Sequence, residues 1–478
     1  MAEHYDYDAI IIGAGISGLV CGCYLAKAGL KTLIVEKNAK VGGYCASFTR
    51  QGYSFDACAH ALGSLREGGQ LDKILFDLEL RDRLKILRYE PSYIIITPNL
   101  SIKIHGLLDD TIKEFQRHFP KEKKQIEELF SFIALSDIPA LSRFRSKTFQ
   151  QLLDIYFKDN QLKTILGLLV LGFVGLPPNQ ASSVVGCLII REFVFDGGYY
   201  PLKKMQALPD ILAQRLVELK GEIKTAKTVK KVIIQDGKAR GVTLNDGKRI
   251  LSRYIISACD VRKLFLEMID EENIHLHFRQ KITGKQPSPS SFLVYLGIRS
   301  EEQISSQLQS DKNIILLNKL DIDDLYSSMI SHESQFLLLT SHISTDKSLQ
   351  SYKNISVCLE TNTLYVNDKF WTKGKIDMFA DRLIALGELI IPNLSKYASL
   401  KLTASPVSLN KWTNNYQGAS YGWASTIEQF CNPFASQKTE IENLYLTGHW
   451  SNRSSGIAFV ANHGYDIANS ILYKEKRK

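Results

Sequence analysis

The run Asp8-Ala9-Ile10-Ile11-Ile12-Gly13-Ala14-Gly15-Ile16-Ser17-Gly18 decides the fold. Its first half is short, apolar and rich in β-branched residues, the pattern of a strand buried on both faces of a parallel sheet. Leu19 to Gly29 then reads as a helix, with small residues (Gly22, Ala26, Ala28) able to sit close to a sheet. Leu30 to Val35 reads as a second strand, and Glu36 ends it about 20 residues past the glycines. Strand, glycine turn, helix, strand and acid in that order turn a bare GxGxxG into a dinucleotide site. Gly13 permits the tight turn, Gly15 lets backbone approach a pyrophosphate, and Gly18 lets the helix pack on the strand. Ile16 and Ser17 open the helix, where free N–H groups and the positive dipole end suit phosphate. Glu36 can accept both ribose hydroxyls and would repel a 2′-phosphate, which disfavours NADP.

The next segment separates FAD from NAD. Lys37 adjoins the acid, and Val41-Gly42-Gly43-Tyr44 follows, then Gly52-Tyr53-Ser54-Phe55-Asp56 and His60. This extension resembles the flavin amine oxidase and phytoene desaturase superfamily, in which the paired glycines run past the flavin phosphates and ring edge. The resemblance implies FAD, with Lys37, Gly42, Gly43, Tyr44 and His60 along it. No cysteine stands where members attach flavin covalently, so it implies non-covalent FAD.

The likeness recurs over nearly the whole chain. Gly197-Gly198-Tyr199-Tyr200-Pro201 through Leu208 resembles a strand-to-helix segment of the family, and Val229 with Val232 resembles the pair whose first residue lies against the adenine. Gly241-Val242-Thr243-Leu244 with Asn245-Asp246-Gly247 reads as a hairpin by turn chemistry. Ile255 to Asp260 resembles the strand returning to the dinucleotide domain. Leu444-Tyr445-Leu446-Thr447-Gly448 reads as a strand entering a glycine turn, and Gly456-Ile457 opens a helix that in the family points at the flavin pyrimidine. A positive dipole there stabilises negative charge on reduced flavin. Gly418 to Trp423 and Gly175-Leu176-Pro177-Pro178 resemble the carotenoid isomerase and retinol saturase branch. Three positions depart from the pattern. Cys58 stands near a usual glycine, Lys203-Lys204 replaces paired glycines before Met205, and His449 replaces an acid beside the ribityl chain.

These readings give an α/β protein: a discontinuous Rossmann-like FAD-binding domain (1–90, 197–285 and 425–478) and an α+β substrate domain built from insertions (91–196 and 286–424). In the insertions, Tyr93–Thr97 and Leu100–Ile104 read as a hairpin, with Asp110 capping the next helix. Ile126, Leu129, Phe130 and Ile133 make one apolar helix face. Phe292–Ile298, Ile314–Leu317, Phe336–Thr340 and Ile355–Leu359 read as strands, and Thr372–Leu389 as a helix.

Composition narrows the class. The 478 residues are 45% hydrophobic and 23% charged, ordinary globular usage that excludes a disordered or collagen-like chain. The eight cysteines form no CxxC pair, which disfavours a metal or iron–sulfur site and suits a reducing, cytoplasmic setting. The net charge of +9 comes without a dense Lys/Arg stripe, so a nucleic-acid partner is not expected. The apolar run Ile165–Leu176 is too short to span a bilayer, which takes about 20 residues. It reads as a buried helix or as a greasy element at a membrane-facing entrance. With the basic tail Tyr473–Lys478, this leaves peripheral membrane contact open.

No Ser-His-Asp set, metal cluster or carboxylate pair stands out, as expected if flavin carries the chemistry. By motif position His60, Tyr421 and Trp423 are the catalytic candidates, with His449 beside the flavin. The resemblance implies an oxidoreductase acting on carbon–carbon bonds of a polyene or isoprenoid-like lipid: desaturation, with an acceptor such as oxygen or quinone, or saturation, or cis–trans isomerisation. Alternatives are an amine oxidase or secondary-metabolite tailoring oxidase on a smaller substrate, and a non-catalytic flavin- and lipid-binding protein.

Overall fold

The computed structural model describes residues 4–299, 312–321, 324, 327–329, 331, 333, 335–343, 354–431, 439–451 and 455–477. Tyr7–Ile12 lies inside a seven-stranded sheet, parallel to Thr32–Val35 on one side and to Arg249–Ser257 on the other. Glu222–Lys224 extends it in parallel beyond Thr32–Val35. Arg249–Ser257 is long enough to serve two neighbours. Its first half pairs antiparallel with Lys238–Leu244, and Ile255 to Ser257 pair parallel with Leu444–Leu446. Val229–Gln235 forms the outer edge, antiparallel to Lys238–Leu244. Ala9, Ile10 and Ile11 are wholly buried, as a strand covered on both faces requires.

One face of this sheet carries the helix Ile16–Lys27, which packs along the last helix, Ile457–Glu475. A Cβ on Gly464 would fall 2.3 Å from the Ser17 carbonyl oxygen, so the two helices meet backbone to backbone. On the other face Ile10, Ile12, Leu33 and Val35 pack with Phe265, Trp423 and Trp450.

A second seven-stranded sheet runs Ala398–Ala404, Ser290–Arg299, Asn354–Thr363, Phe336–Ile343, Lys312–Leu317, Tyr93–Ile96, Ser101–Ile104. It joins two distant stretches of chain: Lys312–Leu317 runs parallel to Tyr93–Ile96, and every other pair is antiparallel. The period-two alternation of strands divides its faces. Phe292, Val294, Leu337, Leu339, Val357 and Leu359 face the helix Lys373–Glu388. The alternate residues face a cleft between the two sheets.

Helices between residues 108 and 195 close the side of that cleft. Asp110 does not cap the helix Leu108–His118: the cap position is Leu107, and Asp110 sits inside the first turn, paired with Lys113. Ile126, Leu129, Phe130 and Ile133 do form the buried face of Lys123–Leu135. The Ile165–Leu176 run lies mostly in Asn160–Val174, a buried helix that stops at Gly175, whose φ of 73° a side chain would resist. Among the described residues no helix is long and apolar enough to cross a membrane.

Candidate active site

The cleft starts at the carboxyl ends of the first sheet's strands, where open α/β sheets bind ligands, and reaches the inner face of the second sheet. It holds about 1950 Å³ of free space, part of it open to solvent.

Glu36 forms one end. Its Oε2 accepts the Ala14 N–H at 2.8 Å and its Oε1 the Asn38 N–H at 2.8 Å. The acid thus braces the glycine turn from which the first helix starts. Lys37 donates from Nζ to the Lys411 carbonyl at 2.9 Å, and burial lowers its pKa. Val229, at the start of its strand, lines the same end.

Gly13, Gly15, Ile16 and Ser17 come next. No side chain caps the helix at Gly15, so its first amides stay available. A Cβ on Gly15 would meet nothing within 4 Å; the residue leaves room for an occupant and not for a packing neighbour. Gly18 works differently and does not line the cleft. Its Cβ would fall 2.2 Å from the Gly13 oxygen, so it serves helix-on-strand packing. Beside the helix start Gly448 follows Thr447, whose Oγ1 lies 2.5 Å from the Ser17 Oγ. An open glycine turn, unclaimed amides at a helix start and a fixed carboxylate together fit an adenine dinucleotide.

Gly42, Gly43, Tyr44, His449, Gly456 and Ile457 continue the lining. Tyr44 donates its hydroxyl to the Ala419 carbonyl at 3.0 Å and accepts from Asn415 Nδ2 at 3.3 Å. Gly456 starts the last helix without a side-chain cap, leaving a second set of amides facing the cleft. Burial lowers both His60 and His449 to about 4, so each imidazole is neutral at pH 7.

The far half is apolar: Tyr93, Phe173, Ile189, Phe193, Phe336 and Leu338. Phe193 comes from a π-turn, Ile190–Phe195, that widens the end of the helix Ser183–Ile189, a distortion common at functional sites. Tyr421 reaches this half and donates its hydroxyl to the Gly172 carbonyl at 3.1 Å. Trp423 does not reach the cleft. The chain reverses at Gly422 (φ 76°), sending the indole into the core against Trp450, whose carbonyl accepts its Nε1–H at 2.9 Å.

The sequence reading misses Glu360 and Asn362, which project into the cleft from Asn354–Thr363. Asn362 donates from Nδ2 to the Leu171 carbonyl at 2.9 Å. Glu360 accepts from Ser291 and lies 3.9 Å from the Cys58 sulfur; burial raises its pKa to about 7. A usable signal was present: Ser356, Cys358, Glu360 and Asn362 alternate with apolar Ile355, Val357 and Leu359 in a central strand, so the polar face must meet a cavity. At one departure from the family pattern, Lys204 keeps the left-handed backbone of a glycine (φ 70°), and its charge favours the buried Asp56 carboxylate. Asp56 Oδ1 accepts the Met205 N–H at 3.0 Å, which fastens this turn to the hairpin Ser47–Asp56.

The sequence pattern of flavin containing amine oxidoreductases matches residues 16–346, from the first helix into the second sheet. The chain belongs to that family. Members of the family hold FAD, and the protein is an FAD-dependent oxidoreductase. It is similar to a chloroplastic prolycopene isomerase of Arabidopsis thaliana, 24% identical over 97% of this chain and 82% of the plant protein. It is also similar to an all-trans-retinol 13,14-reductase of Danio rerio, 22% identical over 93% of this chain and 82% of that one. Among solved structures, an oxidoreductase from Methanosarcina mazei superposes with a TM-score of 0.69 at 16% identity, covering 97% of this chain and 100% of that one. That likeness establishes the fold alone.

Proposed function

We propose that the protein acts on carbon–carbon bonds of an apolar polyene or isoprenoid-like substrate, by desaturation, saturation or cis–trans isomerisation. The apolar far half of the cleft supports this most directly, since it adjoins the residues assigned to the flavin. A conjugated hydrocarbon offers no charge to grip. It is held by burial, worth about 25 cal/mol per Å². A small amine would need a compact aromatic cage, and this cleft is long and mostly aliphatic and aromatic wall. The two relatives carry polyenes in their names.

Bound FAD supplies hydride chemistry at its N5. In this reading Glu36 takes the ribose, the amides after Gly15 with Ser17 and Gly448 take the diphosphate, and Val229 lies at the adenine. Gly42, Gly43, Tyr44, His449 and the helix start at Gly456-Ile457 hold the flavin end. His60 and Tyr421 wall the reacting bond. Both are neutral at pH 7, so they orient by hydrogen bond and exclude water without introducing charge. Residues 1–90, 197–285 and 425–478 serve the cofactor; 91–196 and 286–424 serve the substrate. A dehydrogenating direction needs an acceptor such as oxygen or a quinone. Peripheral contact with a lipid surface at the turn between two helices is part of the reading. There Leu135 (83% exposed) and Ile138 (53% exposed) stand near Arg143 and Arg145.

The test is anaerobic incubation of the FAD-loaded protein with prolycopene and with all-trans-retinol, following flavin absorbance and product mass. Isomer change without mass change, or a change of two hydrogens, is expected. Rapid peroxide formation with simple amines and no change in either polyene would sink the reading.

A further inference from the structure

Glu360 is a carboxyl group in a cleft otherwise suited to an apolar molecule, and nothing above gives it a task. It stands on the inner face of the second sheet, between Leu293 and Leu338 of the neighbouring strands. One side of it lines the main cleft. The other lines a small side cavity with Asp56, Cys58 and Cys358. Ser291, which donates to it, lies 3.1 Å from Ser420 on the cofactor side of the cleft. The titratable groups facing it are Asp56, Cys58, His60, Tyr295, Cys358 and Tyr421. Burial holds both thiols and both phenols in their neutral forms, and His60 is neutral as well. Among the described residues no lysine or arginine contributes to its electrostatics.

Moving two hydrogens onto or off a carbon–carbon bond requires a hydride at one carbon and a proton at its neighbour. The phenol of Tyr421 is committed to the Gly172 carbonyl, and neutral His60 carries no proton in excess. We propose that Glu360 is the proton-transfer residue of the cleft, exchanging its carboxyl hydrogen with the substrate carbon beside the one that exchanges hydride. This rests on the substrate reading given above. In the saturating direction the Glu360 O–H bond breaks and a C–H bond forms from the electron pair of the double bond. The adjacent carbon would take its hydride, with its own pair, from reduced FAD held by the residues named above. The resulting carboxylate keeps its hydrogen bonds from Ser291 and Cys58. Desaturation reverses each bond change: Glu360 receives the proton, and oxidised FAD bound in the cleft would take the hydride.

Two measurements on the FAD-loaded full chain test this. Without any polyene, the visible absorbance of the bound flavin is titrated from mildly acid to mildly alkaline pH. The wild type should show a transition with a midpoint of about 7. Glu360→Gln should abolish it, and Ser291→Ala, which removes a bond favouring the ionised form, should move it upward. With prolycopene and all-trans-retinol, Glu360→Gln should slow turnover on the order of 100-fold at unchanged FAD affinity. A wild-type titration that persists in Glu360→Gln and does not move in Ser291→Ala overturns the proposal, as does full turnover by Glu360→Gln. A titration that Glu360→Gln abolishes, in a protein that leaves both polyenes untouched, upholds the proton on Glu360 and overturns the substrate reading.

Discussion

The carboxylate of Glu36 accepts the backbone N–H of Ala14 at 2.8 Å, so the acid ending the second strand is tied to the turn that starts the first helix. A change at one therefore reaches the other. Glu36→Ala should weaken FAD binding by about 1–3 kcal/mol, the worth of a charged hydrogen bond. Calorimetric titration of the apoprotein measures it, and unchanged affinity would show that Glu36 is not the ribose ligand. Heating the wild type should release FAD into the supernatant.

Tyr421 and Trp423 are two residues apart but face different surroundings. Trp423→Phe removes the Nε1 hydrogen bond to the Trp450 carbonyl and should cost about 1 kcal/mol of stability. It should leave the flavin spectrum and FAD affinity unchanged. Tyr421→Phe frees the Gly172 carbonyl within the cleft and should alter the visible spectrum or substrate turnover. Spectra of both variants beside thermal melts separate the two cases; a spectral change confined to Trp423→Phe would contradict the assignment.

Gly464→Ala inserts a methyl group 2.3 Å from the Ser17 oxygen, and neither helix backbone can yield cheaply. Overpacking of this kind costs about 1–3 kcal/mol. Because Ser17 also touches Thr447, both melting temperature and FAD affinity should fall together. A melt that matches the wild type would show that the helix pair has slack.

The raised pKa of Glu360 carries a stability signature. Its folded value of about 7 lies above the ordinary 4.5, so the folded state holds the proton more tightly. The associated stabilisation is complete below the unfolded value and is lost as pH rises through the folded one. The loss is at most about 3 kcal/mol, less where the cleft admits water. Melting curves of the apoprotein should fall more steeply across neutral pH than those of Glu360→Gln. Identical profiles would exclude the shift.

The first sheet was legible because its signals are local. A strand buried on both faces must be a continuous apolar run, and the glycines of the first turn answer to a neighbouring backbone and to an occupant. The residues expected at the cofactor all line the cleft except Gly18, which serves packing. The helix cap and the place of Trp423 escaped because they depend on turns that no local pattern records. Leu107 and not Asp110 took the cap because the backbone enters the helix three residues earlier. Trp423 left the cleft because Gly422 turns the chain between two aromatics that share a motif. Glu360 lies just past the apolar stretch that marks its strand. Its position at the cleft depends on pairing with two strands, Ser290–Arg299 and Phe336–Ile343.

The pairing of Leu444–Leu446 with Ile255–Ser257 sets an order of events during synthesis. The glycine turn of Gly13 and Gly15 is made more than 430 residues before the wall beside it, Thr447 and Gly448, and before the amides at Gly456. A nascent chain short of those residues presents half a cradle. A dinucleotide bound between turn and wall would fasten together two stretches that the sequence holds far apart, and would be gripped fully only once both had folded.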